Sequence, residues 1–585
     1  MFKLFRYLRK RDWAFLAVSA ALIVLQVWLE LKMPDYTAAV NRLMLTEGSK
    51  MSEILSNGGL MLACAAGSLG SAVIVGFLAA QISAGFSMNL RKALFDKVES
   101  FSMEEINRFS TASLITRSTN DVTQVQMAIA MGFQAIVKAP IMAVWSIIKI
   151  VGRNQWQWAT IVASAVGLLI LIILVVVLFA LPRFRRIQTL TDNINRVMRE
   201  NLTGVRVVRA YNAESYQEGK FEGANQALMQ NNLVAQRIMA IMSPGMSIII
   251  NGMSLSIYWV GAYLIKDAAL IDRVKLFANM ASFMQYGMMV VSAFMMLTMI
   301  FIMLPRALVS ARRINEVLDL QPKIADPIAP IAAPEDVKGE VEFRNVSFRY
   351  PDADGYVIEN VSFKAKKGDT VAFIGSTGSG KSTLINLIPR FYDVSDGEVL
   401  VDGVNVKDYK LADLHAKLGY VPQRAVLFSG TVDSNVNYGY GAESRTEEDV
   451  KRAVEIAQGK DFVEKMEGSY SAPIAQGGTN VSGGQKQRLS IARAVVRKPE
   501  IFIFDDSFSA LDYKTDRVLR SALDRETGDS TRLIVAQRIG TILDADNILV
   551  LDEGKVVGQG THSELMESCE VYRQIAYSQL SKEEL

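Results

Sequence analysis

The chain is poor in the residues that supply thiol and imidazole chemistry. Among 585 residues, only Cys64 and Cys569 are cysteines and only His415 and His562 are histidines. Two thiols build neither a disulfide framework nor a thiolate metal cluster. An excess of one charge is also lacking. Sixty-three Lys and Arg against 60 Asp and Glu leave a net charge of +3, which excludes a strongly basic nucleic-acid binder. Charged residues make up only 21% of the chain and hydrophobic ones 50%, with a mean hydropathy of +0.19. That balance excludes a disordered chain, and the length exceeds one ordinary domain.

The apolar residues are concentrated in the first part. A bilayer-spanning helix needs about 20 of them in succession, and six stretches qualify: 13–33, 58–85, 131–152, 156–181, 238–265 and 276–303. Residues 167–181 carry no charge at all. The first stretch is the weakest, because Glu30 and Lys32 near its end need the membrane interface to be tolerable. Basic residues cluster before the first stretch (Lys3, Arg6, Arg9, Lys10, Arg11), between the second and third (Arg91, Lys92, Lys97, Arg108, Arg117) and between the fourth and fifth (Arg183 to Lys220). The positive-inside rule places all three clusters, and with an even number of spans the C-terminal part, in the cytoplasm of a multi-pass protein of the cell membrane. Residues 1–11 do not read as a cleavable signal, since the apolar run is too long and no small-residue cleavage site follows. With Phe2, Phe5 and Leu8 they read as an interfacial amphipathic helix or as a solvated charged flank.

The second and third basic clusters lie in long stretches low in proline and glycine. They read as helical hairpins continuing their spans about 30 Å into the cytosol, with tips near 110–121 and 209–216, or alternatively as solvated loops. Within the last span Met280, Met284, Met288, Met295, Met299 and Met303 recur mostly at helical spacing. Methionine suits a surface that accepts many apolar shapes; lipid-facing or packing roles are the alternative. Lys138 and Gln285 are polar within apolar runs and face a cavity, unless Lys138 reaches the cytoplasmic interface.

Pro322, Pro327, Pro330 and Pro334 mark a linker at 321–336. Beyond it, β-rich runs such as 339–349 and 370–374 alternate with helical segments, the pattern of an α/β domain over 337–585. The strand at 370–374 leads into Gly375-Ser376-Thr377-Gly378-Ser379-Gly380-Lys381-Ser382, with an apolar helix from near Thr383. This is G-x-x-x-x-G-K-S between strand and helix. Its backbone N–H groups and the helix N-terminus cradle phosphate; Lys381 supplies a charge to the β/γ-phosphates and the Ser382 hydroxyl a ligand to Mg²⁺. Far downstream, Ile501-Phe502-Ile503-Phe504 reads as a buried strand ending in Asp505-Asp506. Asp505 reads as the second Mg²⁺ anchor. Asp506 stands where a general base orients water, or else is a turn residue.

Between these motifs lies Asn480-Val481-Ser482-Gly483-Gly484-Gln485-Lys486-Gln487-Arg488. With the phosphate loop, it makes the chain resemble the ATP-binding cassette transporters over essentially its whole length, as an exporter half-transporter: a six-span helical membrane domain (1–320), a linker and an α/β P-loop nucleotide-binding domain. The resemblance implies ATP and Mg²⁺ as cofactors. It makes Tyr350 the aromatic that stacks on adenine, Thr383 part of the nucleotide site, and Gln423, in Tyr420-Val421-Pro422-Gln423, the Q-loop residue near Mg²⁺. Asp512, in Ser509-Ala510-Leu511-Asp512, belongs to the D-loop. Two such domains pair head to tail, so Ser482, Gly483, Gly484 and Gln485 would bind an ATP held by a second half-transporter.

Two positions depart from the family pattern. Asp506 stands where the family has a catalytic glutamate, one methylene shorter, and Gln537, in Ala536-Gln537-Arg538, stands where it has a switch histidine. Gln476 stands where exporters often carry glutamate. Binding groups are kept and chemical groups altered, which suggests an asymmetric heterodimer. Resemblance to bacterial heterodimeric multidrug exporters implies ATP-driven export of amphipathic small molecules across the bilayer. Lipid flipping, peptide export, a slow homodimer and an ATP-gated regulatory membrane protein are the alternatives. The membrane half excludes a soluble cassette ATPase working on nucleic acid.

Overall fold

The computed structural model describes residues 1–579 apart from 47, 154, 335, 352 and 440, and apart from the side chains of 2, 270, 271, 301 and 302. The expected Phe2 contribution to an N-terminal helix and the end of the 337–585 segment therefore lie outside the described residues. The chain divides into two compact units, one formed by Met1–Glu99 with Ala112–Leu320, the other by Ser100–Thr111 with Gln321–Leu585.

The first unit is helical. Among the described residues, six helical stretches are long and apolar enough to cross a membrane: Lys10–Leu45, Met51–Glu99, Thr111–Val151, Trp156–Thr203, Glu214–Asp267 and Asp272–Leu318. At 1.5 Å per residue, the 49-residue second helix is about 70 Å long, so the polar stretches continue the spans as helices and not as solvated loops. Buried apolar residues of five helices make one core, in which the Trp158 and Phe283 rings lie 4.9 Å apart. The first helix contains Pro34. Side chains of the last helix bond to the backbone around it, Ser282 Oγ to Pro34 O at 2.7 Å and Tyr286 Oη to Leu31 O at 3.1 Å.

The structure bears on four expectations for this half. The first hairpin has its short crossing helix at Met103–Phe109, ahead of the expected 110–121. A capping box fixes that start: Ser102 N donates to Glu105 Oε2 at 2.8 Å. The second tip falls as expected, in the turn between Val205–Ala210 and Glu214–Ala240. The N-terminal segment is a 3₁₀ helix, Phe2–Tyr7, with Leu4 fully buried and Asn89 Nδ2 bonded to Tyr7 O at 2.9 Å. It is packed onto the second helix and so is not a solvated flank. Lys138 lines a cavity and is ion-paired: its Nζ lies 2.9 Å from Glu30 Oε1, a counter-charge that makes both groups tolerable. The six methionines do not share one environment: Met280 is buried in the core, while Met288, Met295 and Met299 are exposed.

The second unit is built on sheets. β1 (Val341–Phe348), β2 (Ile358–Ala365), β4 (Asp396–Val401) and β5 (Val404–Asn405) form an antiparallel sheet in the order β2-β1-β4-β5. The larger sheet contains β3 (Thr370–Gly375), β6 (Leu418–Val421), β9 (Ile501–Asp505), β10 (Thr531–Val535), β11 (Asn547–Asp552) and β12 (Lys555–Gly560), in the order β12-β11-β3-β10-β9-β6. All its neighbours are parallel except β11 and β12. A two-stranded pair, β7 (Gly430–Thr431) and β8 (Pro473–Ile474), completes the set. The unbroken apolar run of β9 follows from burial on both faces: Phe502 and Phe504 enter one core, Ile501 and Ile503 the other.

One ion cluster links the two larger sheets. Lys417, just before β6, lies 2.8 Å from Asp402 Oδ2 in the β4–β5 turn and 2.8 Å from Glu500 Oε2, just before β9. Burial works against the Lys417 charge, yet the two carboxylates hold its pKa above the ordinary lysine value. The Asp402 side chain is fully buried, so Lys417→Met leaves a buried carboxylate without its counter-charge. The expected loss is about 3–5 kcal/mol, measured as faster hydrogen exchange of β4 and β6 in the full-length protein; unchanged protection would refute it.

Candidate nucleotide site

Four neighbouring parallel strands end at the same edge. β3 ends in the phosphate loop, β9 at Asp505 with Asp506 directly after it, β10 two residues before Gln537, and β6 two residues before Gln423. Ligands of open parallel sheets bind beyond the carboxyl ends of their strands. The loop curls because Gly380, at φ +92°, begins the helix Lys381–Asn386; a Cβ there would stand 2.9 Å from Val357 O and 2.6 Å from Ile358 Cδ1. The helix starts at Lys381, two residues ahead of the expected Thr383.

The loop wraps around its own lysine. Lys381 Nζ donates to Gly375 O at 2.9 Å, Ser376 O at 2.7 Å and Ser379 Oγ at 3.2 Å. Thr377 and Gly378 complete the curl, Gly378 at φ +86°. Ser382 Oγ donates to Asp505 Oδ1 at 2.7 Å. Burial pushes the Asp505 carboxyl up and the Lys381 ammonium down, each towards its neutral form. A triphosphate with Mg²⁺ fits this arrangement: the ammonium has acceptors to exchange for phosphate oxygens, and a hydroxyl and a carboxylate stand together as hard oxygen ligands. When bound, the metal would neutralise charge on the phosphates.

Asp506 takes a left-handed φ of +45°, and its N–H donates to Val535 O of β10 at 3.1 Å. Its side chain is held from two sides. Gln537 Nε2 donates to Asp506 Oδ2 at 2.7 Å and Gln423 Nε2 to the same oxygen at 3.2 Å. Tyr350 packs edge-on to Phe348 and Tyr392, at 5.0 and 5.3 Å, and its hydroxyl lies 3.0 Å from Thr383 Oγ1.

The remaining residues stand apart. Ser482 caps the helix Gly483–Val495, accepting from Gln485 N at 3.3 Å while its own N–H donates to Gln485 Oε1 at 2.9 Å. Ser482 and Gly483 are exposed, with Gly484 following in the same first turn. Asp512 is also exposed and caps Tyr513–Glu526 through Thr515 N at 3.0 Å, a backbone bond that lowers its pKa. Gln476 is exposed in a turn. Among the described residues no hydrogen bond joins these groups to the phosphate loop.

Two contacts carry no local motif. Gln579, in the helix Glu570–Gln579, donates Nε2 to Gln537 O at 2.8 Å and accepts from Ile539 N at 2.8 Å, bracketing Arg538. Asn107 Nδ2, in the short helix Met103–Phe109, donates to Tyr392 Oη at 3.1 Å. Each pairs residues that only the fold brings together. The start of the short helix was signalled by Ser102-x-x-Glu105, and its partner was not.

The strand–loop–helix cradle, with a carboxylate at the end of a parallel strand, defines a P-loop nucleotide-binding unit joined to a bundle of membrane helices. The ABC transporter family model matches residues 358–509, and the ABC transporter transmembrane region model matches 15–291. An uncharacterized ABC transporter ATP-binding protein of Mycobacterium tuberculosis is 41% identical over 523 residues, 89% of this chain and 87% of that protein. The ATP-dependent lipid A-core flippase of Pseudomonas aeruginosa is 33% identical over 494 residues, 84% of this chain and 79% of its own. The solved structure of a bacterial Atm1-family ABC exporter with ATP bound superposes with a TM-score of 0.80 at 23% identity, covering 98% of this chain and 100% of that one. The chain belongs to the ABC transporter family, as a multi-pass membrane protein carrying the family's ATPase domain on the cytoplasmic side.

Lys381→Met keeps the length of the side chain and removes its charge. Loss of a charge-assisted contact of about 1.5–3 kcal/mol weakens ATP binding roughly 10- to 100-fold. Titration with a non-hydrolysable ATP analogue measures this; unchanged affinity would remove Lys381 from the site.

Proposed function

We propose that this chain is one half of an asymmetric ABC exporter, with a membrane part at 1–320, a linker at 321–336 and a nucleotide part from 337 onward. It uses ATP and Mg²⁺ to move amphipathic molecules out across the bilayer. Its own phosphate loop forms a slow site that holds ATP, with Tyr350 on the adenine, Lys381 on the phosphates, and Ser382, Asp505 and Gln423 around Mg²⁺. Its Ser482–Gln485 segment completes a faster site on a different half-transporter.

The observation that carries the asymmetry is the Asp506 carboxylate. One oxygen receives two neutral amide donors, Gln537 and Gln423. A carboxylate so held is a weaker acceptor for a water proton, and Gln537 has no titratable group to exchange one. The shorter Asp side chain adds a displacement of about 1 Å, enough to cost roughly 10²-fold in rate. The start of Gly483–Val495 is exposed, and its capping box engages the Ser482 and Gln485 N–H groups, which leaves those of Gly483 and Gly484 to meet an incoming phosphate.

Two measurements test this. The chain purified alone hydrolyses Mg-ATP slowly, and rapid turnover would defeat the asymmetric reading. In the assembled complex, Asp506→Glu changes turnover less than tenfold, whereas removal of the partner's catalytic glutamate lowers it about 10²-fold or more; the reverse ranking refutes the assignment.

A second reading, lipid flipping by the same architecture, is favoured by the 33% identical relative named as a lipid A-core flippase. The two readings separate on cargo. A flippase moves a fluorescent lipid between leaflets of reconstituted vesicles with ATP, and a drug exporter accumulates a soluble amphipathic dye in their lumen.

A further inference from the structure

A cavity of about 450 Å³ opens in the membrane unit between the first, third and sixth helices, lined by Lys138, Gln285, Ser292 and five methionines. Its size is that of a small-molecule site. Gln285, Met288, Met289, Ser292 and Met296 follow one another at helical steps, so they share one face of the sixth helix. Of the methionines singled out in the sequence, Met288 alone is in this wall.

The charges around it are arranged unequally. Glu30 Oε1 accepts three donors: Lys138 Nζ at 2.9 Å, Gln26 Nε2 at 3.0 Å and Ser68 Oγ at 3.2 Å. Glu30 itself is not part of the cavity wall, and neither is any other carboxylate. Lys138 is part of the wall, with its side chain only 14% exposed. An ammonium has three N–H donors, and among the described residues Lys138 spends one, on Glu30. The side chains of Gln285 and Ser292 have no hydrogen-bond partner among the described residues. The wall therefore offers a cation and polar donors, backed by a counter-charge held behind it, beside an apolar thioether surface. An ionisable group kept inside a span marks a pathway or binding site.

We propose that this cavity binds a monoanionic amphiphile, with its phosphate or carboxylate on Lys138 Nζ and the Gln285 amide and its apolar body along the methionines. Glu30 is the positioning residue that holds the Lys138 ammonium at the wall. The proposal rests on the exporter reading and narrows its cargo.

The test uses the assembled transporter in phosphatidylcholine nanodiscs. The probes are one fluorescent alkyl chain ending in phosphate, carboxylate or trimethylammonium. The wild type binds the two anions more tightly than the cation. Lys138→Gln weakens anion binding about tenfold or more and leaves the cation within twofold, while Lys138→Arg restores the anions. The paired change Glu30→Lys with Lys138→Glu keeps the internal ion pair and inverts the preference. Equal anion affinity in wild type and Lys138→Gln, or tighter binding of the cation by wild type, overturns the proposal. Two transport arms identify the source of the anion: leaflet transfer of fluorescent phosphatidic acid against phosphatidylcholine, and lumenal uptake of an anionic against a cationic dye. Discriminating binding without ATP-driven movement of either cargo defeats the exporter reading and leaves the site. ATP-driven movement of anions that Lys138→Gln does not slow defeats the site and leaves the exporter.

Discussion

Parallel backbone pairing between β3, β10, β9 and β6 sets where every group of the nucleotide site stands. Parallel strands end at the same edge, so a loop, a carboxylate pair and two amides separated by up to 162 residues in sequence (from Gly375 to Gln537) emerge as neighbours. The strands hold that arrangement because they are apolar on both faces. Alternate residues of β9 fill opposite cores, and the sheet cannot slip by one residue without exchanging them. At the edge, Asp506 leaves the strand in a left-handed turn tied to Val535. The geometry of the reacting end thus follows from the packing of a strand that has no chemistry of its own.

The same economy governs the membrane unit. Charged side chains there are costly, and those present are shared out among several donors and acceptors. Glu30 collects three donors, and Asp35 is held by Lys149 in the third spanning stretch, Arg153 in the turn after it and Tyr286 in the sixth. Each cluster joins helices that apolar packing alone would leave free to slide, because lipid is as apolar as the helix faces. Polar contacts fix register in one unit, as ladder hydrogen bonds do in the other.

Local chemistry was the legible part of this molecule. The six spans, the α/β pattern, the phosphate loop and the strand ending in Asp505 could all be read because each depends on residues within a few positions of one another. The departures at Asp506 and Gln537 were equally visible, since an altered side chain inside a motif needs no structure to be noticed. What could not be read was pairing across the chain. Nothing near Lys138 in the sequence indicates Glu30, and nothing near Gln537 indicates Gln579. The methionines illustrate the point: they recur mostly at helical spacing, yet Met280 is buried whereas Met295 and Met299 are exposed. A period of 3.6 constrains the helix, and its neighbours decide which side faces inward.

The Gln579 bracket carries one more consequence. A single side-chain amide holds the carbonyl before Arg538 and the N–H after it, so the helix Glu570–Gln579 is bonded directly to the segment behind Asp506. That helix is anchored in turn by the fully buried Tyr572 and Ala576. Through it, the last described helix is tied to the segment that carries Gln537, the amide donor to Asp506. A change made in that helix therefore reaches the amide that holds Asp506 through two hydrogen bonds.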